Sequence, residues 1–257
     1  MRNIVITGAS SGIGKRLSEL FERTDTVITI SRSGEGERHY TCDVANEKAV
    51  KETFDKIKET YGHIDILINN AGYGLSGAVE LLPLNEIKRL FDVNFFGVLN
   101  CTQNALPLMG KGGKIINISS ACAIFALPFR AMYCASKSAV SSLSFGLNME
   151  CKKSGIQVCA VCPGDTKTNF SKNRVKINES NERYGDSIIN SATKIDSRED
   201  KRMSVDKVAY KIYKVINKKK LPYQKIIGGK YKIFYLGLRL LPTNWFYGLV
   251  NKIFNKK

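Results

Sequence analysis

Acidic side chains are scarce in this chain of 257 residues: 23 Asp and Glu stand against 40 Lys and Arg, a formal charge of +17 at pH 7. From Lys207 to the end there are thirteen Lys and Arg and no Asp or Glu. No stacking-aromatic series or zinc-finger spacing accompanies the charge, so no nucleic-acid partner is expected and a solvated, lysine-rich surface is the plainer reading. Histidine is almost missing. His39 and His63 have no partner identifiable in the sequence and are expected on the surface or in loops, and no metal site is expected. Seven cysteines, an odd number scattered through apolar segments, exclude a disulfide framework and read as reduced, buried thiols. Cys159 and Cys162 lie three apart in a strand-like run, on opposite faces, which argues against a shared metal or redox bridge. There is no linker rich in Pro, Ser or Gly and no change of composition, so the chain reads as a single domain. Met1 to Thr7 already reads as a buried strand and not as a secretory leader, which predicts a cytoplasmic protein.

What is present begins with Asn3-Ile4-Val5-Ile6-Thr7, a short apolar run. It ends in Gly8-Ala9-Ser10-Ser11-Gly12-Ile13-Gly14, after which Leu17, Leu20 and Phe21 recur at helical spacing. Strand, glycine turn and helix in this order suit a dinucleotide: glycines let the backbone approach a pyrophosphate, and a helix start supplies unpaired N–H groups and a positive dipole end. The next strand, Thr26 to Ile30, ends at Ser31-Arg32. There an acidic residue would normally accept bonds from a ribose, and a guanidinium suits a 2′-phosphate instead, which predicts NADP(H) over NAD(H). Only Ser33 to Arg38 precedes the strand His39 to Cys42, so a crossover helix is missing. Asp43-Val44 closes that strand, and a helix with Val50, Phe54, Ile57 and Tyr61 on one face follows. Ile64 to Ile68 reads as a central strand that runs into Asn69-Asn70-Ala71-Gly72, whose small residues and amides suit a wall for the adenosine half.

Asn85 to Leu106 reads as one long helix with Asn94 in its middle. An Asn there is unfavourable unless its amide is used, and Gly97 makes a backbone irregularity plausible. The strand Lys114 to Ile118 ends at Ser119-Ser120, and an apolar loop, Ala123 to Phe129, leads into a helix carrying Tyr133 and Lys137. Residues four apart share a helix face, so the phenol and the ammonium can enter one cleft and form an acid/base pair. Alone, such a pair is usually a packed aromatic and a solvated lysine. Sites in parallel sheets lie beyond the strands' carboxyl ends, where Ser120 and Tyr133 can converge.

With these residues together, the chain resembles the classical short-chain dehydrogenases/reductases, and the match runs nearly throughout as far as Thr168. It rests on Thr7 to Gly14, Asp43, Asn69 to Gly72, Asn94, Ser120, Tyr133, Lys137 and Pro163-Gly164-x-x-x-Thr168. The interval from serine to tyrosine selects Ser120 over Ser119. The resemblance implies a Rossmann-like doubly wound parallel α/β sheet of about seven strands in a single domain with a C-terminal helical extension. It implies cofactor contacts at Gly8, Ser10, Ser11, Gly12, Ile13, Gly14, Arg32, Asp43, Val44, Asn70, Ala71, Gly72, Tyr133, Lys137, Pro163, Gly164, Thr166 and Thr168. It further implies that Tyr133 exchanges the proton with the substrate oxygen and that Lys137 lowers the phenol's pKa. Ser120 would donate to the reacting oxygen, and Asn94 would hold a water on a proton path. Ser11 departs from the pattern, since NADP-preferring members often carry a second basic residue there.

Beyond Thr168, the polar stretch Asn169 to Met203 is expected to be a substrate lid. A helix Val205 to Asn217 and a last strand Tyr223 to Ile227 should follow. The tail from Tyr231 is apolar, aromatic and basic, and too interrupted to span a bilayer. It can roof the active site, lie on a membrane surface as a peripheral contact, or join two subunits of a homo-oligomer, dimer or tetramer. The roof is preferred because it needs no partner. The apolar loop, long lid and aromatic tail point to a secondary alcohol or ketone on a bulky apolar molecule. Hydroxysteroids, including bile acids, come first, with retinol-type or acyl-lipid ketones as the alternative. A non-catalytic NADP(H) sensor or scaffold would predict loss of Asn94, Ser120, Tyr133 or Lys137, and all four are present.

Overall fold

The short β-branched runs become strands and the amphipathic stretches become helices. The computed structural model describes residues 1–168, 170, 173–196 and 202–254. In chain order these form β1 (Asn3–Thr7), α1 (Gly12–Phe21), β2 (Thr26–Ser31), β3 (His39–Thr41), α2 (Glu47–Tyr61), β4 (Ile66–Asn69), β5 (Leu75–Ser76), α3 (Leu84–Phe91), α4 (Gly97–Ala105) and β6 (Lys114–Ile118). The second half forms α5 (Ala131–Glu150), β7 (Gln157–Pro163), β8 (Thr166–Lys167), β9 (Val175–Lys176), α6 (Ser187–Asp196), β10 (Met203–Ser204), α7 (Val205–Ile216), β11 (Gln224–Ile227), α8 (Gly229–Leu240) and α9 (Thr243–Phe254).

Seven strands make one parallel sheet in the order β11-β7-β6-β4-β1-β2-β3, the doubly wound arrangement that the sequence predicts. Because side chains alternate along a strand, β1 feeds two cores. Ile4 and Ile6 face the helices α1 and α7 with Leu17, Phe21, Val208 and Ile212. Val5 faces the other layer, with Val50, Phe54 and Cys101. Strand order reverses between β1 and β4, so connections leave in opposite directions and open a crevice at the strands' carboxyl ends. Gly8 follows β1 at φ +65°, and a β-carbon there would stand 2.7 Å from the Cα of Ala71. Only glycine lets these two loops touch.

The irregularity that Gly97 suggested in the helix from Asn85 to Leu106 is present and divides it: α3 ends at Phe91, a π-helical turn spans Asp92–Phe96, and α4 starts at Gly97. A β-carbon on Gly97 would lie 2.6 Å from Val44, so the turn is the form that lets this segment pack on the end of the third strand. The lid is more ordered than a loop: β9 pairs with β5, β10 pairs with β8, and α6 lies between. Its residues 169, 171, 172 and 197–201 lie outside the described residues, as do 255–257 of the tail. His63 is exposed in the loop after α2, as expected, 3.4 Å from Asp65, while His39 is half-buried in β3 with Nδ1 2.9 Å from Thr29 Oγ1.

The tail folds into α8 and α9, which turn at Leu241-Pro242. Their inner faces bring Tyr231, Phe234, Phe246 and Val250 onto Phe125 and Leu127 of the loop before α5. Their outer faces leave Ile233, Leu236, Leu240, Trp245 and Leu249 exposed. Among the described residues no helix is long and apolar enough to cross a membrane.

Candidate active site

Beyond the carboxyl ends of the strands lies a cleft of about 550 Å³, within the range of small-molecule sites. One limb follows β1. The turn Gly8 to Gly12 leads into α1, whose N-cap Ser11 makes no side-chain capping bond and whose first turn has no acidic residue. The helix start therefore keeps donors and a positive dipole end for an anion. Gly8, Ser10, Ser11, Gly12 and Ile13 line the cleft. Gly14 does not: a β-carbon there would meet Gly8 O at 2.4 Å, so it is a packing glycine that seats the helix against its own turn. The turn is braced from below by Asn70, whose amide donates to Thr7 O at 3.1 Å and Gly8 O at 3.0 Å. Thr7 Oγ1 in return accepts from the backbone N–H groups of Asn70 and Ala71. Asn70, Ala71 and Gly72 all reach the cleft wall, but the Asn70 amide is committed to the turn.

After β2, exposed Arg32 lines the same limb, and among the described residues it has no ion-pair partner. Asp43 and Val44 close this end, and the Asp43 carboxylate accepts from Ala45 N at 3.0 Å. A free helix start plus a free guanidinium is a donor set that fits a dinucleotide carrying a third phosphate. On the opposite side Pro163, Gly164, Thr166 and Thr168 line the cleft. The Thr168 side chain comes within 3.5 Å of the place where Gly12 would carry a β-carbon.

The other limb holds the polar cluster. Asn94 is fully buried in the π-helical turn: its Oδ1 accepts from Tyr73 N at 3.0 Å, and its Nδ2 donates to Tyr73 O at 3.0 Å and Ser136 Oγ at 3.2 Å. It stands behind the cleft wall. A β-carbon on Gly72 would lie 2.9 Å from Asn94 Oδ1 and 3.2 Å from Lys137 Nζ, so that glycine leaves room for the lysine head. Lys137 Nζ donates to Ile118 O at 3.0 Å, and burial pushes the amine down to about 8. Ser119 turns away, with its hydroxyl on Lys137 O at 2.8 Å and beside Ser141. Ser120 Oγ accepts from Cys122 N at 3.1 Å and lies near enough to the Tyr133 phenol to favour its charged form.

Helical spacing brings Tyr133 and Lys137 into one cleft, as expected, yet the electrostatics differ from expectation. Burial, followed by the neighbouring Cys122, pushes the Tyr133 phenol above its ordinary value. Ser120 and the charge of Arg130 oppose this. Sequence reasoning missed Arg130, whose guanidinium carbon is 5.7 Å from the Tyr133 ring centre. The signal was available: an arginine three residues before Tyr133, in an otherwise apolar loop. It also missed Cys122 and Tyr231, which line the cleft. Tyr231 donates no local sign of its role, because it arrives from the tail to lie on Gly164 and to accept from Asp165 N at 3.0 Å.

Residues 2–179 match the short chain dehydrogenase family. The chain is 36% identical to a 3-ketodihydrosphingosine reductase of Bacteroides thetaiotaomicron, over 88% of this chain and 87% of that one. It is 34% identical to a 3beta-hydroxysteroid dehydrogenase of Mediterraneibacter gnavus, over 66% of this chain and 67% of that one. The solved structure of ElxO with NADP bound has a TM-score of 0.73 and 28% identity, covering 91% of this chain and 100% of that one.

Proposed function

The chain belongs to the short chain dehydrogenase family, and from that premise we propose an NADP(H)-dependent enzyme that interconverts a secondary alcohol and a ketone on a bulky apolar substrate. The observation that carries this reading is the convergence of Ser120, Tyr133 and Lys137 on one cleft whose other limb is an uncapped helix start with a free Arg32. Glycine-turn donors would hold the pyrophosphate, Arg32 the 2′-phosphate, and Pro163 to Thr168 would cover the nicotinamide. The nicotinamide, when bound, supplies or accepts the hydride.

The chain's own residues manage the oxygen and its proton. Tyr133 holds a proton at its phenolic oxygen and is the group that delivers it to a ketone oxygen or receives it from an alcohol. Ser120 lies beside that phenol in the cleft and donates to the same substrate oxygen, where negative charge develops as the ketone is reduced. Lys137, with its amine pushed down to about 8, can shed or take a proton near neutral pH. Asn94 keeps the strand-end loop in place through its paired bonds to Tyr73. Phe125, Leu127 and Phe170 give the substrate side apolar walls.

Two substrate readings have support. Acyl-lipid ketones now precede hydroxysteroids, because the match to the ketodihydrosphingosine reductase extends over more of the chain than the match to the hydroxysteroid enzyme. The deciding experiment follows absorbance of NADPH against long-chain acyl ketones, steroid and bile-acid ketones, retinoids and small ketones. Oxidation of NADPH by long-chain ketones with the steroids inert is expected; turnover of steroids alone restores the order that the sequence suggested. Silence across the panel with NADPH binding intact would favour a dinucleotide sensor.

The inward face of the tail supports the roof, and its outward face supports a peripheral membrane contact. Ile233, Leu240 and Trp245 are 71–72% exposed, beside Lys232 and Arg239. Since Tyr231, Phe246 and Val250 are buried in the fold, deleting the tail would strip a core. Point changes on the outer face are the cleaner probe. Co-sedimentation with vesicles containing anionic lipid is expected for the native chain and is expected to fall several-fold in Leu240→Glu/Trp245→Glu; no sedimentation of the native chain at low salt removes the contact.

A further inference from the structure

Arg130 lines the cleft, and a proton and hydride transfer leaves it unused. It is 7% exposed, and its Nε is buried with no hydrogen-bond partner. Among the described residues no carboxylate pairs with it. Asp165, the carboxylate whose charge acts on it, already faces Lys230 at 3.3 Å and the Tyr231 hydroxyl. Cys122 is the neighbour whose charge acts on Arg130 most, and a buried guanidinium with no carboxylate at ion-pair distance is costly to maintain. Its position is nevertheless enforced: the preceding Phe129 sits at φ 58°, a left-handed conformation rare for an aromatic residue, and its carbonyl accepts from Gly77 N at 2.9 Å. Arg130 then opens α5, one turn ahead of Tyr133, and lines the cleft.

The dinucleotide's phosphates have their own receptors in Arg32 and the glycine turn, beyond β2 and β1. Arg130 stands elsewhere, beside Cys122 and Asp165 beyond β6 and β7, among the groups that touch Tyr133. Around it, Phe125, Leu127 and Phe170 form apolar surface on the cleft. A planar fork of donors inside apolar walls matches an oxyanion on an otherwise apolar molecule.

Resting on the ketone/alcohol reading above, we propose that Arg130 is a specificity-determining residue that receives an oxyanion, a carboxylate or a phosphate, on the substrate near its reacting carbon. The preferred substrates are then long-chain ketones with an anionic head, and neutral ketones of the same length are poor ones.

The test is titration calorimetry on the full-length protein saturated with NADP⁺, at moderate salt so that surface lysines are screened. Binding of NADP⁺ is measured first in the same cell, so a failure of the dinucleotide reading appears there and not in the probes. The probes are dodecyl phosphate, dodecanoate and dodecanol. At least one anionic probe is expected to bind about tenfold or more tighter than dodecanol, the size of one charge-assisted hydrogen bond; the tighter of the two identifies phosphate or carboxylate as the head. In Arg130→Gln the preference should fall to about twofold or less, and in Arg130→Lys, which keeps the charge without the fork, part of it should remain. Anionic and neutral probes bound equally by the native chain, no binding of any probe, or a preference that survives in Arg130→Gln would each overturn the proposal. The comparison within the native chain stands even if a variant fails to fold.

Discussion

Tyr133→Phe is expected to lower turnover about 10³-fold while NADPH binding stays within a few-fold of the native chain. The size follows from removing a positioned proton carrier, which contributes roughly 10²–10⁴ to a rate. The change deletes one oxygen and leaves the ring in its contacts with Phe170 at 5.8 Å and Arg130 at 5.7 Å, so packing is conserved. Ser120 keeps its bond from Cys122 N. The loss should therefore appear in kcat with KM nearly unchanged, the mark of an interaction made in the transition state. Steady-state kinetics together with NADPH fluorescence titration would check it. Turnover within tenfold of native would mean that another group carries the proton and would sink the role assigned to Tyr133.

Arg32→Asp should reverse cofactor choice. The native guanidinium is exposed at the end of β2 and free of ion-pair partners among the described residues, so its whole donor set is open to a 2′-phosphate. Removing a charge-assisted pair costs about 1.5–3 kcal/mol, and an aspartate adds repulsion against the phosphate while offering a ribose diol two acceptors. Together these predict a swing of about 10²–10³ in the ratio of kcat/KM for NADPH over NADH, with the rise in KM for NADPH as the main component. Because the side chain is exposed, stability should change little. Equal kinetics with both cofactors, before and after the substitution, would overturn the assignment of NADP(H).

The two predictions differ in how they became legible. Arg32 could be placed from sequence because its role depends on one strand end and one turn, both marked by local pattern. Tyr133 could be placed because four residues along a helix define a face. The surroundings that set the phenol's proton affinity were not readable in that way. The expected influence, Lys137, has its amine on Ile118 O at 3.0 Å, while Cys122, Ser120 and Arg130 act on the phenol. Gly14 and Asn70 illustrate the same boundary. Both were expected to contact the cofactor, but Gly14 is held small by Gly8 O, and the Asn70 amide braces the glycine turn from another strand.

The sequence by itself marked the strand, glycine turn and helix that open the fold, the later strands and helices, and the shared helix face of Tyr133 and Lys137; the doubly wound sheet and the choice of Ser120 and Asn94 came from the resemblance to the family. The marked elements follow from periods of two and 3.6, from glycine at forced backbone conformations, and from spacing along single elements, which are local constraints. The π-helical form of the irregularity at Asn94, the particular contacts of the tail with Phe125, the order within the lid and the buried state of Arg130 were decided only by tertiary structure. Each depends on which residues from distant segments surround a group, and burial beside Asp165 and Tyr133 is what separates Arg130 from an ordinary surface arginine.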